Sequence, residues 1–272
     1  MVKSFNKRLA LMCEKRSSSL CIGLDIDPDK FSKSMDKSIL GLEHFGKDVI
    51  DSTIDFCPIY KPNFAFYERF GSKGLSMLER LVDHIDRRAI VIADAKRGDI
   101  GNTSRQYAHA ILHKMGCDAI TISPYMGEDS ILPFIINKDK GVFILAVTSN
   151  SSASTIQTHG GESSPLYKKV IKMAKKLNTN DNIGLVVGAT KTSIMDEIRQ
   201  LSIGMPWLIP GVGSQGGDLE NALEISSTNG IGIINISRGI LYSGDGSIES
   251  IANTAKIYTE KIRSIAWNPI KY

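Results

Sequence analysis

Short apolar runs recur along the chain, and an amphipathic or polar stretch follows each of them. Eight runs have this form: SLCIGLD (19–25), DFCPIYKPN (55–63), AIVIADAK (89–96), CDAITIS (117–123), VFILAVTS (142–149), IGLVVGAT (183–190), WLIPGVG (207–213) and GIGIINISR (230–238). The intervening stretches have helical periodicity, as in SKGLSMLERLVDHID and SPLYKKVIKMAKKL. Continuous apolar strands that alternate with helices predict a parallel sheet covered by those helices.

Eight strand–helix units in about 250 residues are typical of a (β/α)8 barrel. An open, doubly wound parallel sheet is the alternative fold. No linker or shift in composition divides the chain, so we expect a single domain over residues 1–272. The polar segment SNSSASTIQTHGGESS (149–164) is either a flexible surface loop or a lid over a site.

Charged and hydroxyl side chains gather where the predicted strands end, which is where barrel enzymes have their active sites. They are Asp25 after the first strand, Lys61 at the second, Asp94, Lys96 and Asp99 at the third, Thr148 and Ser149 at the fifth, and Ser237 and Arg238 at the eighth. Any one of these charges could belong to a surface salt bridge. Charges on adjacent strand ends together predict a site.

The alternating charges of DAKRGD (94–99) restrict the chemistry. Asp94 and Lys96 are two residues apart, so on an extended strand both point to the same face. A lysine flanked by carboxylates is held as ammonium, which makes it a poor nucleophile and a good proton donor. This argues against a Schiff-base aldolase, which needs a neutral amine, and for protonation of a carbanion. A carboxylate facing a substrate carboxylate would repel it, and that repulsion ends when CO2 leaves.

Asp99 has a second explanation. Gly98 and Gly101 flank it and allow tight backbone turns. Asp99 or Asn102 could therefore cap a helix predicted from Tyr107 to Met115.

The segment PGVGSQGGD (210–218) predicts a phosphate site. It contains G-x-G-x-x-G, but the dinucleotide fingerprint belongs to the first strand–helix turn, whereas this segment follows the seventh strand. Barrels bind phosphate with the loops after strands seven and eight. We expect Gln215, the backbone of Gly216 and Gly217, and the Arg238 guanidinium at the start of the last helix to hold a phosphate monoester.

Composition excludes several classes of protein. The chain has 33 basic and 29 acidic residues in a well-mixed pattern, unlike a nucleic-acid binder. We expect no signal peptide and no membrane span. The cysteines lack a CxxC pair and are expected to be buried, reduced thiols of a cytoplasmic protein: Cys13, Cys21, Cys57 and Cys117.

Two short motifs could suggest a metal site. HAILH places His109 and His113 one helical turn apart but lacks the glutamate of HExxH and lies away from the strand ends. Asp27 and Asp29 in DIDPD are interpreted as loop residues. We therefore expect no metal.

DAKRGDI fits the D-x-K-x-x-D-I signature of the orotidine 5′-phosphate decarboxylase family. Further blocks resemble that family in its order: GLDIDP, KPNFAFYE, SPYMGEDS, VTSNSS, GLVVGAT, LIPGVGSQGGD and NISRGILY. The resemblance extends over residues 20–242 and is to the longer bacterial branch. Sugar-phosphate relatives share D-x-K-x-x-D alone, whereas the whole set is specific.

The resemblance implies decarboxylation of orotidine 5′-monophosphate to UMP and CO2 in de novo pyrimidine biosynthesis, without metal or cofactor. It implies a charged tetrad of Lys61, Asp94, Lys96 and Asp99. Lys96 would protonate C6 of the pyrimidine after CO2 leaves, and Asp94 would lie beside the substrate carboxylate. The alternatives are a magnesium-dependent keto-sugar-phosphate decarboxylase or lyase and a non-catalytic nucleotide-binding protein.

The resemblance also implies the binding residues and a homodimer. Asp99, Ile100 and Thr103 would complete the neighbouring subunit's site. The substrate contacts would be Asp25 at the ribose, Ser149 at the pyrimidine, Pro210 lining the pyrimidine pocket, and Gln215, Gly217, Ser237 and Arg238 at the phosphate end. Thr148 and Asn150 are alternatives to Ser149. We expect no second domain for the preceding phosphoribosyl transfer within these residues, and the sequence does not address a separate partner enzyme.

Overall fold

Eight parallel strands close into a barrel in the computed structural model, which describes residues 2–161, 163–189, 192–212 and 218–266. Each strand pairs with the next along the chain, and the last pairs with the first. The strands are β1 (Leu20–Gly23), β2 (Ile59–Lys61), β3 (Ile90–Arg97), β4 (Ala119–Ile122), β5 (Gly141–Val147), β6 (Ile183–Val187), β7 (Trp207–Ile209) and β8 (Gly232–Ile236). The closed order confirms the (β/α)8 barrel and excludes the open, doubly wound sheet.

Helices surround the barrel, with α1 at one end of it. They are α1 (Phe5–Arg16), α2 (Ile39–Thr53), α3 (Ala65–Glu68), α4 (Gly71–Ile85), α5 (Gly101–Ala108), α6 (Glu128–Ile135), α7 (Ser154–Gln157), α8 (Leu166–Leu177), α9 (Thr192–Leu201), α10 (Leu219–Ser227), α11 (Arg238–Leu241) and α12 (Ile248–Ala266). Short 3-10 turns cover Pro28–Lys30 and Ser151–Ala153, and a π-helix covers His109–Lys114. The two amphipathic stretches predicted from the sequence are α4 and α8.

The first helix closes the N-terminal end of the barrel. Phe5 and Leu9 of α1 are fully buried and pack into the barrel interior with residues such as Ile92 and Phe143. The rings of Phe5 and Phe143 meet edge to face, with centroids 6.0 Å apart. The Phe5 ring also lies against Gly141, where a β-carbon would collide with it. This end is therefore filled with apolar side chains, and the C-terminal ends of the strands are left for a site.

The end of β3 departs from the regular strand that the sequence predicts. Ala93 pairs with Ile120 and Arg97 with Ile122, so residues 94–96 bulge opposite the single residue Thr121. Within this bulge Lys96 has a left-handed backbone, with φ 46°. The simple alternation of faces therefore does not hold between Asp94 and Lys96.

The predicted cap of the following helix is wrong. The helix begins at Gly101, and its N-cap position is Ile100, which makes no side-chain cap hydrogen bond. The Asp99 carboxylate instead accepts a hydrogen bond from the adjacent Ile100 N–H at 2.7 Å. Residues 98–100 connect β3 to α5, and Asn102 lies inside the helix, one residue past its start, so it cannot occupy the cap position.

Two further segments differ in detail from the sequence interpretation. Arg238 begins the short helix α11, and the longer α12 follows it, so Arg238 does not begin the last helix. Segment 149–164 contains the second 3-10 turn and α7, and its residue 162 lies outside the described residues. The Gln157 amide holds Thr148 at the end of β5 through two hydrogen bonds of 2.9 and 2.8 Å. This attachment fixes the position of α7 relative to the end of β5.

Candidate active site

A cavity of about 340 Å³ opens at the C-terminal ends of strands β2 to β7. Its wall combines charged residues on one side with apolar and hydroxyl-bearing residues on the other. The lining residues are Lys61, Asp94, Lys96, Thr121, Leu145, Thr148, Ser149, Asn150, Val186, Leu208 and Pro210. The structure thus brings three of the four predicted tetrad residues to one cavity, together with Ser149 and Pro210.

The Asp94 carboxylate lies between two ammonium groups. Lys61 Nζ donates to Oδ2 at 2.9 Å, and Lys96 Nζ donates to Oδ1 at 2.5 Å. The Lys61 side chain is 4% exposed and that of Asp94 10%, whereas that of Lys96 is 50% exposed. Lys61 is therefore an interior support for the carboxylate, and Lys96 is the member that a ligand in the cavity could reach.

Within the triad of Lys61, Asp94 and Lys96, the pKa values of Asp94 and Lys61 are both shifted so that each group stays charged. Burial by itself would raise the pKa of Asp94, but Lys61 and Lys96 outweigh it and hold that pKa well below its usual range. Burial would lower the pKa of Lys61, but the negative charges of Asp94 and Asp25 outweigh it and raise that pKa. The site therefore presents a fixed anion between cations at neutral pH.

Thr121 of β4 touches two parts of this triad and was not predicted from the sequence. Its hydroxyl lies 3.0 Å from Asp94 Oδ1 and 3.0 Å from the backbone nitrogen of Lys96. A left-handed backbone costs a residue other than glycine about 1–2 kcal/mol, so the Lys96 conformation needs support from its surroundings. Thr121 lies within the apolar run CDAITIS, and nothing in that sequence pattern indicates a contact with Asp94 or Lys96.

Asp25 lies two residues beyond β1, on a loop held by two tyrosines. The Tyr242 hydroxyl donates to the Asp25 carbonyl at 3.0 Å and accepts from the Asp27 N–H at 2.7 Å. The Tyr67 hydroxyl donates to the Leu24 carbonyl at 2.8 Å. Asp25 Oδ1 is buried and has no hydrogen-bond partner among the described residues. Buried polar atoms are normally paired, so this oxygen is a candidate ligand contact.

Asp99, Ile100 and Thr103 do not join the triad within one chain. Among the described residues, no ion pair links Asp99 to Lys61 or Lys96. Ile100 and Thr103 are exposed at the start of α5. Tyr125 and Met126 are exposed on the connection from β4 to α6, the helix that packs beside α5. The predicted trans contribution of these residues therefore depends on a second subunit.

The phosphate end is described only in part. Arg238 is exposed as the first residue of α11, and Ser237 before it has a buried Oγ with no partner among the described residues. Gln215 and Gly217, which were predicted to bind phosphate, lie outside the described residues, as does the rest of 213–217. The structure therefore places Ser237 and Arg238 after β8, as the sequence predicts.

The three residues that are candidates for contacting the pyrimidine, Thr148, Ser149 and Asn150, all line the cavity. Thr148 Oγ1 is engaged by the Gln157 amide and donates to Asn150 Oδ1 at 2.6 Å. Ser149 lies between them in the chain and also lines the cavity. The geometry keeps the three residues together.

The other sequence features have structural roles. Within 2–161, 163–189, 192–212 and 218–266, no group of three or more His, Cys, Asp or Glu side chains could hold a metal ion. Asp27 and Asp29 form ion pairs with Arg69. The four cysteines are buried and free, and burial raises the pKa of each thiol. No helix in the described part of the chain is long and apolar enough to cross a membrane.

Comparison with known proteins points to one family. The model of the orotidine 5′-phosphate decarboxylase / HUMPS family matches residues 18–250. An orotidine 5′-phosphate decarboxylase of Dehalococcoides mccartyi is 45% identical over 89% of this chain and 90% of its own length. One from Herpetosiphon aurantiacus is 42% identical over 93% of this chain and 94% of its own. The structure of Leishmania donovani OMP decarboxylase has a TM-score of 0.85 at 33% identity, and covers 96% of this chain and 98% of that one.

Proposed function

This chain belongs to the orotidine 5′-phosphate decarboxylase family, and we propose that Lys61, Asp94 and Lys96 carry its reaction, the decarboxylation of orotidine 5′-monophosphate to UMP and CO2 in pyrimidine biosynthesis. The observation that carries the proposal is the Asp94 carboxylate, held between two ammonium groups at the cavity. A nucleotide-binding protein with no reaction to catalyse would gain nothing from an anion facing an anionic ligand.

In the proposed reaction, the substrate carboxylate lies beside Asp94. The bond from C6 to the carboxyl carbon breaks, CO2 leaves, and the electron pair stays on C6. Lys96 then gives a proton to C6, and the resulting amine takes a proton back from water. Lys61 keeps Asp94 ionised and in place throughout. The triad itself supplies both the negative charge and the proton, so the proposal includes neither metal nor cofactor.

The remaining residues are assigned to binding. Asp25, whose Oδ1 has no partner in the part of the chain that the structure describes, is assigned to the ribose. Ser149 is assigned to the pyrimidine, because it lines the cavity between Thr148 and Asn150. Pro210 lines the pyrimidine pocket. The phosphate is assigned to Gln215, Gly217, Ser237 and Arg238. Binding energy from the phosphate end then serves to orient the reacting carbon.

We further propose a homodimer in which Asp99, Ile100 and Thr103 complete the partner's site. The exposed apolar side chains of Ile100, Tyr125 and Met126 support this, because large apolar groups exposed to solvent are typical of interfaces. The four buried, free thiols support a reducing compartment, the cytoplasm.

The proposal is tested by mixing the purified protein with orotidine 5′-monophosphate in EDTA and following the ultraviolet absorbance of the orotate ring. Loss of that absorbance, with formation of UMP and CO2, is the expected result. The alternative is a magnesium-dependent enzyme acting on a keto-sugar phosphate. No turnover in EDTA, combined with magnesium-dependent turnover of such a sugar phosphate, would contradict the proposed function.

A further inference from the structure

The bulge at the end of β3 leaves the backbone of Lys96 without a regular strand partner. Residues 94–96 oppose only Thr121 on β4, and backbone pairing resumes where the Ser123 N–H donates to the Arg97 carbonyl at 2.8 Å. Inside the bulge, the Lys96 N–H donates to the Thr121 side chain at 3.0 Å. A side-chain hydroxyl therefore takes the place that a backbone carbonyl has elsewhere in the sheet.

The direction of both hydrogen bonds at Thr121 is fixed by chemistry. The Lys96 N–H can only donate, so the hydroxyl oxygen accepts from it. The Asp94 carboxylate is ionised and can only accept, so the single hydroxyl proton is donated to Oδ1, 3.0 Å away. Thr121 is 1% exposed, so water does not replace either contact. One hydroxyl thus joins the backbone of Lys96 to the carboxylate that receives its ammonium group.

We propose that Thr121 is a positioning residue. Its hydroxyl holds Lys96 in the left-handed conformation and so fixes the position of the Lys96 ammonium group beside Asp94. The inference rests on the proposed function of the triad. The left-handed backbone sets the direction from which the Lys96 side chain enters the cavity, and Oδ1 receives both the ammonium and the hydroxyl. Without the hydroxyl, Lys96 can relax toward an ordinary strand conformation and move its Nζ away from the reacting carbon.

The test is the variant Thr121→Val, which keeps the shape of the side chain and removes both hydrogen bonds. We expect kcat for orotidine 5′-monophosphate to fall at least tenfold, while KM and the affinity for UMP change less than threefold. Thr121→Ser keeps the hydroxyl and is expected to recover most of kcat. A residue with a purely structural role would not separate kcat from KM in this way or respond to serine rescue.

Thr259→Val is the matched control. Thr259 is equally buried, and its hydroxyl donates to the Ala255 carbonyl on α12 at 3.0 Å, away from the cavity. Its loss is expected to leave kcat unchanged. If Thr121→Val does not fold, Thr121→Cys replaces it, because the thiol occupies the same space and forms much weaker hydrogen bonds.

Three outcomes would overturn the inference: an unchanged kcat in the valine variant, a serine variant as impaired as the valine variant, or an equal loss in Thr259→Val. Absence of turnover in the unaltered enzyme is a different result, which contradicts the proposed function itself. Turnover by the unaltered enzyme with full activity in Thr121→Val contradicts only the role of Thr121.

Discussion

The Nζ of Lys96 lies 2.5 Å from Oδ1 of Asp94, two residues earlier in the same strand, although the backbone of Lys96 is left-handed. The contact thus forms across a bulge and not along a regular pleat. Lys96 is half exposed at the cavity, whereas Lys61, on the other oxygen of the same carboxylate, is buried. We therefore assign Lys96 as the proton donor and Lys61 as the buried residue that holds the Asp94 carboxylate in place.

Lys96→Ala is expected to lower kcat at least 100-fold, on the scale of lost general acid catalysis. Affinity for UMP should remain measurable, because the phosphate and ribose contacts are intact. Turnover is followed by absorbance and UMP binding by calorimetry. Lys73→Ala removes an exposed lysine at the start of α4 and is the control. Near-normal turnover by Lys96→Ala would remove Lys96 from the proton-donor role.

Subunit mixing tests the trans contribution of Asp99. Lys96→Ala and Asp99→Ala should each be inactive alone, but a mixed dimer would contain one site with Lys96 and the partner's Asp99 both intact. Random exchange makes about half of the dimers mixed, so about a quarter of all sites should recover. Activity after co-expression with different affinity tags measures this.

The control for mixing pairs Lys96→Ala with Asp94→Asn. Asp94 and Lys96 act from the same chain, so every site in these mixed dimers lacks one of them, and no recovery is expected. Failure of the Asp99 mixture to recover, or a monomer in analytical ultracentrifugation, would contradict the proposed dimeric site.

Arg238→Ala is expected to weaken UMP binding by about 1.5–3 kcal/mol, the scale of hydrogen bonds to charged groups. Uridine lacks the phosphate, so its affinity should not change, and calorimetry with both ligands separates the phosphate contact from general damage. Arg87→Ala, at an exposed position at the opposite end of the barrel, is the control. An equal loss for uridine and UMP would show that Arg238 does not act on the phosphate.

Glu43 gives the protein a pH-dependent contribution to stability away from the site. Hydrogen bonds from Arg80 and Lys47 lower its pKa from 4.5 to about 2, against the opposing effect of burial. Because the folded-state pKa is depressed, the contribution is present above pH 4.5 and is lost as pH falls from 4.5 toward 2. We expect about 1–2 kcal/mol, since solvent screens the half-exposed Arg80.

This contribution is measured as the difference in free energy of unfolding between the unaltered protein and Glu43→Gln, by urea denaturation at several pH values. The difference should be constant near pH 7 and shrink below pH 4.5. A difference that does not vary with pH would assign the effect to packing and not to the charge of Glu43.

The sequence by itself determined the strands, the barrel and the strand ends that carry Lys61, Asp94 and Lys96. Hydrophobic periodicity is local, and eight repeated units leave few other ways to bury their apolar faces. Charged side chains that directly follow such strands must then converge at one end of the barrel. The family resemblance added the reaction and the roles of individual residues, which periodicity does not contain.

Only the tertiary structure decided how those charges are held. The bulge at Lys96 depends on Thr121, 25 residues later in the chain, and the Asp25 loop depends on Tyr242, 217 residues later. No local pattern encodes a hydrogen bond between such distant positions. Asp99 also shows the limit of a local pattern. Its spacing suited a helix cap, but α5 begins one residue later than such a cap requires, and the Asp99 carboxylate accepts from the neighbouring Ile100 N–H. Periodicity sets where the elements lie, whereas side-chain hydrogen bonds across the barrel set the geometry of the site.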